Sequence, residues 1–240
     1  MVLRKLDVVP SKNKTRLVKW SAAPLNLLEQ EPRSYSWPEP FQLDQEEEGA
    51  CVGHGLAEEA VNKPDIVDLR IQPTPEDFRR FQQLQSAGAS LQEVTQAFAF
   101  ELYYWTKKWD QWAGEDYDGT SMDAGADRMK ALQIWPEYRW GSWAEARVFI
   151  GRHGPITVAC PWKTKMFKPS PSGYLEVSGR TEGWHCVMFN RFSIKRGGAY
   201  TPNSWGGHGA GWISDEGMFQ LESEGAEFCL PVRRARKDRV

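Results

Sequence analysis

Cysteine and histidine are scarce, with only four of each in 240 residues. Cys51, Cys160, Cys186 and Cys229 are too few and too scattered for a disulfide framework, so a reducing compartment is expected. No Cys-x-x-Cys or His-x-x-x-His pair occurs, so neither a metal site nor a cofactor is expected. Charge of one sign is also lacking. The formal net charge is −2, and no global basic field advertises nucleic acid or a membrane surface. No apolar run approaches the length of a membrane-spanning helix, and Met1–Pro10 lacks the apolar core of a secretory signal. These absences suggest a cytoplasmic protein, in its own cell or in a phage host. Aromatics, in contrast, are plentiful. Twelve tryptophans point to core packing and shielding rather than to a base-stacking surface.

The chain divides by pattern. Residues 1–32 read as an extended arm, because Pro10, Pro24 and Pro32 prevent a long helix. Its basic residues Lys12, Lys14, Arg16 and Lys19 read as a solvated face. Around Cys51 a loop gives way to a helix, with Leu56, Ala57, Ala60 and Val61 at helical spacing. Pro75-Glu76-Asp77-Phe78 looks like the start of a helix that runs to about Ser86. Ser90-Leu91-Gln92-Glu93 is a capping box. Beyond it Leu91, Val94, Ala97, Phe98, Leu102, Trp105 and Trp109 repeat with helical period. A further helix passes through Ala124–Leu132. From residue 154 the pattern turns to strand: Gly154–Cys160, Gly173–Val177, a hairpin around Lys195–Gly198, then Gly211–Ile213 and Gly217–Leu221. A helical half followed by an antiparallel sheet is an α+β design. The expected division is a domain over 33–230, with 33–145 mainly helical and 146–230 mainly β. The basic segment 231–240 reads as a tail.

Cys51 is the residue around which the chemistry gathers. A cysteine opening a helix meets unpaired backbone N–H groups and the positive end of the dipole, both of which favour the thiolate. Taken alone, such a cysteine is more often a small buried core residue. Three other stretches change that reading: Gln45, six residues upstream; Gly183-Trp184-His185 leading into an apolar run; and Asn203-Ser204-Trp205-Gly206. Together they resemble the papain-like cysteine proteases. In that family His and Asn follow the nucleophile by roughly 130–150 residues, which is close to the separations here.

The resemblance implies a papain-like two-lobed fold, Cys51 on the helical lobe facing His185 on the β lobe. It implies Cys51 as nucleophile, His185 as acid–base partner, Asn203 orienting the imidazole and Gln45 as an oxyanion donor with the Cys51 N–H. Trp205 would shield the His–Asn bond. Gly119 and Thr120 would hold the substrate backbone, and Trp184 would constrict the main specificity pocket. The pair is expected to rest as thiolate and imidazolium. The chain departs from the family in three places: Val52 replaces an aromatic, Glu48 stands where a disulfide cysteine is common, and the front segment is too short for the usual helical pro-segment. Either the enzyme is made active, or the arm is a minimal pro-segment or a strap across the two lobes. Glu46, Glu47 and Glu48 are expected to raise the Cys51 pKa or to favour a basic substrate. The implied activity is hydrolysis of peptide or protein amide bonds. The alternatives are a cell-wall peptide amidase or acyl-transfer enzyme with the same Cys/His pair, and a catalytically silent peptide-binding module. Nothing in the sequence bears on oligomeric state.

Overall fold

The computed structural model describes residues 6–11 and 26–232. After a short strand β1 (Tyr35–Ser36), four helices form the first half: α1 (Cys51–Ala60), α2 (Arg79–Ser86), α3 (Leu91–Lys107) and α4 (Met122–Ala131). The capping box on α3 is present. Ser90 Oγ accepts from the Glu93 N–H, and the Glu93 carboxylate accepts from the Ser90 N–H at 2.9 Å. Val94, Ala97, Phe98 and Leu102 make its buried face. Helix α1 is buried all round, between α3 and the sheet. Gly53 makes that possible: a Cβ there would lie 2.1 Å from the Ala99 carbonyl oxygen.

The second half carries β2 (Glu137–Gly141), α5 (Trp143–Arg152), β3 (Ile156–Lys163), β4 (Thr181–Phe189), β5 (Arg191–Ser193), β6 (Gly198–Thr201), β7 (Gly211–Ser214), α6 (Asp215–Ser223) and β8 (Glu227–Val232). The order β2-β8-β3-β4 forms one antiparallel sheet, and β1-β5-β6-β7 a second. One core fills the helical half up to Ala159, Cys186 and Cys229 on the sheet. The other lies within the β half around Trp143, Trp162, Phe189 and Trp205.

Several expectations change. The segment Pro75–Phe78 is a turn; α2 begins at Arg79, where the N–H groups of Arg80 and Phe81 donate to the Glu101 carboxylate. Residues 173–177 give one isolated bridge, Tyr174 to Trp212, in place of a strand. Gly217–Leu221 is helical, because Ser214 Oγ caps α6 by accepting from the Gly217 N–H, and the closing strand is β8 instead. Helix α5 was not expected. Its Ser142–Glu145 capping box was the available signal. The lobe boundary also moves. Leu27 and Trp37 pack in the β-half core and β1 pairs β5, so the chain straps the β half before it enters the helical one. Residues 1–5 and 12–25 of the arm, with its four basic residues, and 233–240 of the tail lie outside the described residues. Among the described residues no helix is long and apolar enough to cross a membrane, and the four cysteines are free thiols.

Candidate active site

Cys51 is the first residue of α1, on the border of the two halves. Its sulfur is buried, with backbone N–H groups of Cys186, Asp7 and Val52 directed at it. Cys186 follows His185 on β4, so Cys51 of one half lies against the strand that carries His185 in the other.

The loop before α1 is held by side chains. Gln96 of α3 donates from Nε2 to the Asp44 carbonyl at 2.6 Å and accepts the Asp44 N–H through Oε1. The same amide contacts His54 Nε2 at 3.2 Å, while His54 Nδ1 meets the Ala50 carbonyl at 2.9 Å. A carbonyl can only accept, so the His54 proton is on Nδ1. His54 is fully buried, and it ties the residue before Cys51 to α1.

Burial also pushes the His54 pKa down to about 4, with its partners opposing. The sign follows from linkage. A histidine held neutral in the fold adds stability above its unfolded pKa of 6.5, and that stability is lost as pH falls toward 4. A shift of this size corresponds to about 3 kcal/mol. Urea unfolding of the native chain and of His54→Gln should therefore converge as pH falls from 7 to 4, with the variant losing less. Comparing the two removes the opposite contribution of Glu58, whose buried carboxyl is raised. Parallel curves would contradict the assignment.

His185 lies mid-strand on β4 and is fully buried. Its Nε2 faces Asn203 Oδ1 at 2.9 Å. The Asn203 amide is oriented by two further contacts: Oδ1 accepts the Ser204 N–H at 2.8 Å, and Nδ2 donates to the Gly209 carbonyl at 3.2 Å. Asn203 adopts φ 61°, a left-handed conformation that asparagine tolerates better than most residues. With oxygen facing it, His185 Nε2 must carry the proton. Nδ1 is then the base of the neutral ring, buried and without a hydrogen-bond partner among the described residues. Trp205 stacks on the imidazole at 4.8 Å and 24°, and Trp162 meets it edge-on at 4.8 Å and 82°. Phe167 stacks on the outer side of Trp205 at 5.7 Å. These rings keep water from the His–Asn bond.

Gln45 joins the same network through Ser204. Its N–H donates to the Ser204 carbonyl, its Oε1 accepts the Ser204 hydroxyl at 2.8 Å, and its Nε2 donates to the Glu48 carbonyl at 3.0 Å. Ser204 therefore links the loop before Cys51 to the residue that orients His185. It stands inside the quoted Asn-Ser-Trp-Gly stretch, yet a serine hydroxyl gives no pattern that distinguishes this task from solvation.

Gly119, Thr120 and Trp184 meet at the cleft, where the arm already lies. The Val8 N–H donates to the Trp184 carbonyl at 3.2 Å and the Val9 N–H to the Thr120 carbonyl at 3.1 Å. Both bridges, Asp7 to Trp184 and Val8 to Thr120, are parallel. Asp7 sits between two glycines. A Cβ on Gly119 (φ 86°) would lie 1.4 Å from the Asp7 carbonyl oxygen, and one on Gly49 2.7 Å from its carboxylate. With the arm in place, Cys51 is pushed up to about 12 by burial, against the three N–H groups, and the Asp7 charge adds to the rise. His185 is pushed down to about 4, again chiefly by burial. Both shifts favour the neutral thiol and imidazole in the covered pair, contrary to the thiolate–imidazolium expectation. The expected influence of Glu46, Glu47 and Glu48 on Cys51 is not found either. Asp7 is the carboxylate that acts on it, while Glu48 bears on Tyr103 and Tyr104 and lines, with Glu46, a separate cavity of about 460 Å³ beside α3.

Among solved structures, the chain is similar to xylellain, a cysteine protease from Xylella fastidiosa. The identity is 13% and the TM-score 0.56, over 97% of this chain and 92% of that one. It also aligns with procathepsin B S9 from Trypanosoma congolense, at 14% identity and a TM-score of 0.41, over 95% and 82% of the two chains. No family model and no curated protein matches the sequence. The likeness to xylellain establishes a papain-like α+β fold.

Proposed function

We propose that the protein is a thiol-dependent peptidase, with Cys51 as nucleophile and His185 as the proton carrier. One observation carries this reading: Asn203 fixes the His185 proton on Nε2 and leaves Nδ1 as a base, on the strand whose next residue lies against the Cys51 sulfur. The fold shared with a cysteine protease is consistent with it. In the reaction His185 Nδ1 takes the Cys51 proton, and the sulfur attacks the amide carbon. The oxygen charge that develops would be met by the Cys51 N–H at the start of α1 and by the Gln45 amide. His185 then returns the proton to the departing amine. Water, deprotonated by the same nitrogen, cleaves the thioester and regenerates the thiol.

The test is alkylation of the reduced protein by an epoxysuccinyl thiol-protease reagent, read by intact mass and peptide mapping. One adduct on Cys51 is expected, lost on denaturation and in His185→Ala. Equal labelling of all four cysteines, or a Cys51 rate indifferent to His185, would defeat the reading and favour a silent binding module.

A further inference from the structure

The two groups that would meet the oxyanion, the Cys51 N–H and the Gln45 amide, both lead back to one side chain of α3. The Cys51 N–H shares a planar trans peptide with the Ala50 carbonyl, so fixing that carbonyl fixes the direction of the N–H. The carbonyl accepts twice from His54, from the backbone N–H at 3.0 Å and from ring Nδ1 at 2.9 Å. The first of these is the opening bond of α1. The second comes to a carbonyl that the helix already satisfies. Gln45 follows Asp44, and Gln96 holds both polar groups of the Asp44 backbone. Its Nε2 donates to the carbonyl at 2.6 Å and its Oε1 accepts the N–H at 3.1 Å. Turning the amide over would set oxygen against oxygen, so its two ends are assigned. The amide nitrogen has a second proton, and His54 Nε2 lies 3.2 Å from it. An amide nitrogen only donates, so His54 Nε2 must accept and the ring proton must sit on Nδ1, facing Ala50. Gln96 and Ala50 thus require the same tautomer from opposite sides of the ring. Phe100 meets that ring edge-on at 4.8 Å and 84°.

We propose that His54 and Gln96 are positioning residues of the oxyanion hole: His54 fixes the Ala50–Cys51 peptide and so the Cys51 N–H, while Gln96 fixes the His54 tautomer and the backbone that carries Gln45. The proposal rests on the peptidase reading above. Neither side chain touches substrate. His54 acts on the aim of the donor and on its strength. A carbonyl that accepts a further hydrogen bond polarises its peptide, and the N–H at the other end becomes a better donor. Gln96 acts on aim alone, through Asp44 on one side and His54 on the other. Donors held in place before the reaction need no reorganisation when charge develops on the substrate oxygen. The relay lies in the buried layer between α1 and α3, behind the cleft rather than in it.

Two reagents separate this role from packing. Acylation of Cys51 by benzyloxycarbonyl-glycine p-nitrophenyl ester passes through a tetrahedral oxyanion, whereas alkylation by iodoacetamide displaces iodide and forms none. Both reagents must reach the same buried sulfur, so the ratio of their rates in the full chain cancels the cover of the arm. His54→Phe keeps a ring against Phe100 and Gln96→Leu keeps similar bulk, while each removes the polar contacts. Each is expected to lower the acylation rate roughly tenfold, part of the 10²–10³ that loss of a whole donor brings, with alkylation changed by less than about twofold. In steady-state ester hydrolysis the loss should fall on kcat and leave KM unmoved. Equal falls in both rates, or an unchanged acylation rate, overturn the proposal and leave the peptidase reading standing. A native chain alkylated on Cys51 but not acylated there overturns the peptidase reading, and the proposal with it. Nitrogen-15 NMR of the native ring at pH 7 gives a test independent of activity. A proton on Nδ1 of His54 supports the relay, and a proton on Nε2 overturns it.

Discussion

Removing residues 1–11 is expected to raise the alkylation rate of Cys51 about thirtyfold at pH 7. The segment 6–11 lies over Cys51, hydrogen-bonded to Trp184 and Thr120 and wedged between Gly49 and Gly119. It also presents the Asp7 N–H to the sulfur. Burying Val8 contributes about 1.5–3 kcal/mol, and each of the two bonds that the Ser11 N–H and hydroxyl donate to the Glu227 carboxylate, at 2.8 Å, a similar amount. Ordering the backbone offsets much of this, at about 1–2 kcal/mol per residue. A net closure of only about 2 kcal/mol leaves the cleft open in about one molecule in thirty, which sets the expected rise. The variant Val8→Gly should fall between the two. An unchanged rate in both would show that the arm exchanges freely and leaves the cleft accessible.

The same removal should change the pH dependence of labelling. With the arm in place the neutral thiol and imidazole are favoured over a wide interval, between about 4 for His185 and about 12 for Cys51. Full-length protein should label slowly, and faster as pH rises from 5 to 8, because the reagent is attacked by the thiolate, whose share grows with pH as long as pH stays below the Cys51 value of about 12. Uncovering Cys51 admits water and removes the Asp7 charge, leaving the helix terminus and the N–H groups of Cys186 and Val52 to favour the thiolate. Labelling of the shortened chain should therefore persist to lower pH.

Much of the site's organisation is legible in the sequence because it rests on local signals. Cys51 opens a helix whose periodicity is plain, the box at Ser90 fixes α3, and the stretches at 183–189 and 203–206 stand out as units. What escapes is of two kinds, local cap chemistry that outweighs propensity and contacts distant in sequence. Gly217–Leu221 has strand-like residues, yet Ser214 caps it as a helix, a case of turn chemistry outweighing propensity. Trp162 shields His185 only because β3 and β4 pair in one particular register. Asp7 and Glu227 are ordinary carboxylates in the sequence. Asp7 is set beside Cys51 by the arm folding back, and Glu227 is placed by the pairing of β8 with β3, where Ser11 of the arm reaches it. The acidic run at 46–48 draws attention by composition alone, and the effect expected of it on Cys51 belongs to Asp7.

The network through Ser204 leads to the second large effect. In protein lacking residues 1–11, Gln45→Ala is expected to lower kcat by 10²–10³ with little change in KM, as for loss of one oxyanion donor. The Gln45 amide has two ends, and they are assigned by chemistry: Oε1 faces a hydroxyl donor on Ser204 and Nε2 faces the Glu48 carbonyl. Ser204 thus aims the donor without touching substrate, which makes it a positioning residue. Ser204→Ala removes only that aim, and roughly a tenfold loss in kcat is expected, as for a modest displacement of a reacting group. If the serine acts through the glutamine, the double variant should be no worse than Gln45→Ala alone, since the two losses share one interaction. Multiplicative losses would instead place Ser204's effect on Asn203, whose Oδ1 accepts the Ser204 N–H, and so on the orientation of His185. The two routes separate further in the pH profile. Disturbing the oxyanion donor lowers kcat without moving the pKa values of the active pair, whereas loosening the Asn203–His185 bond moves them.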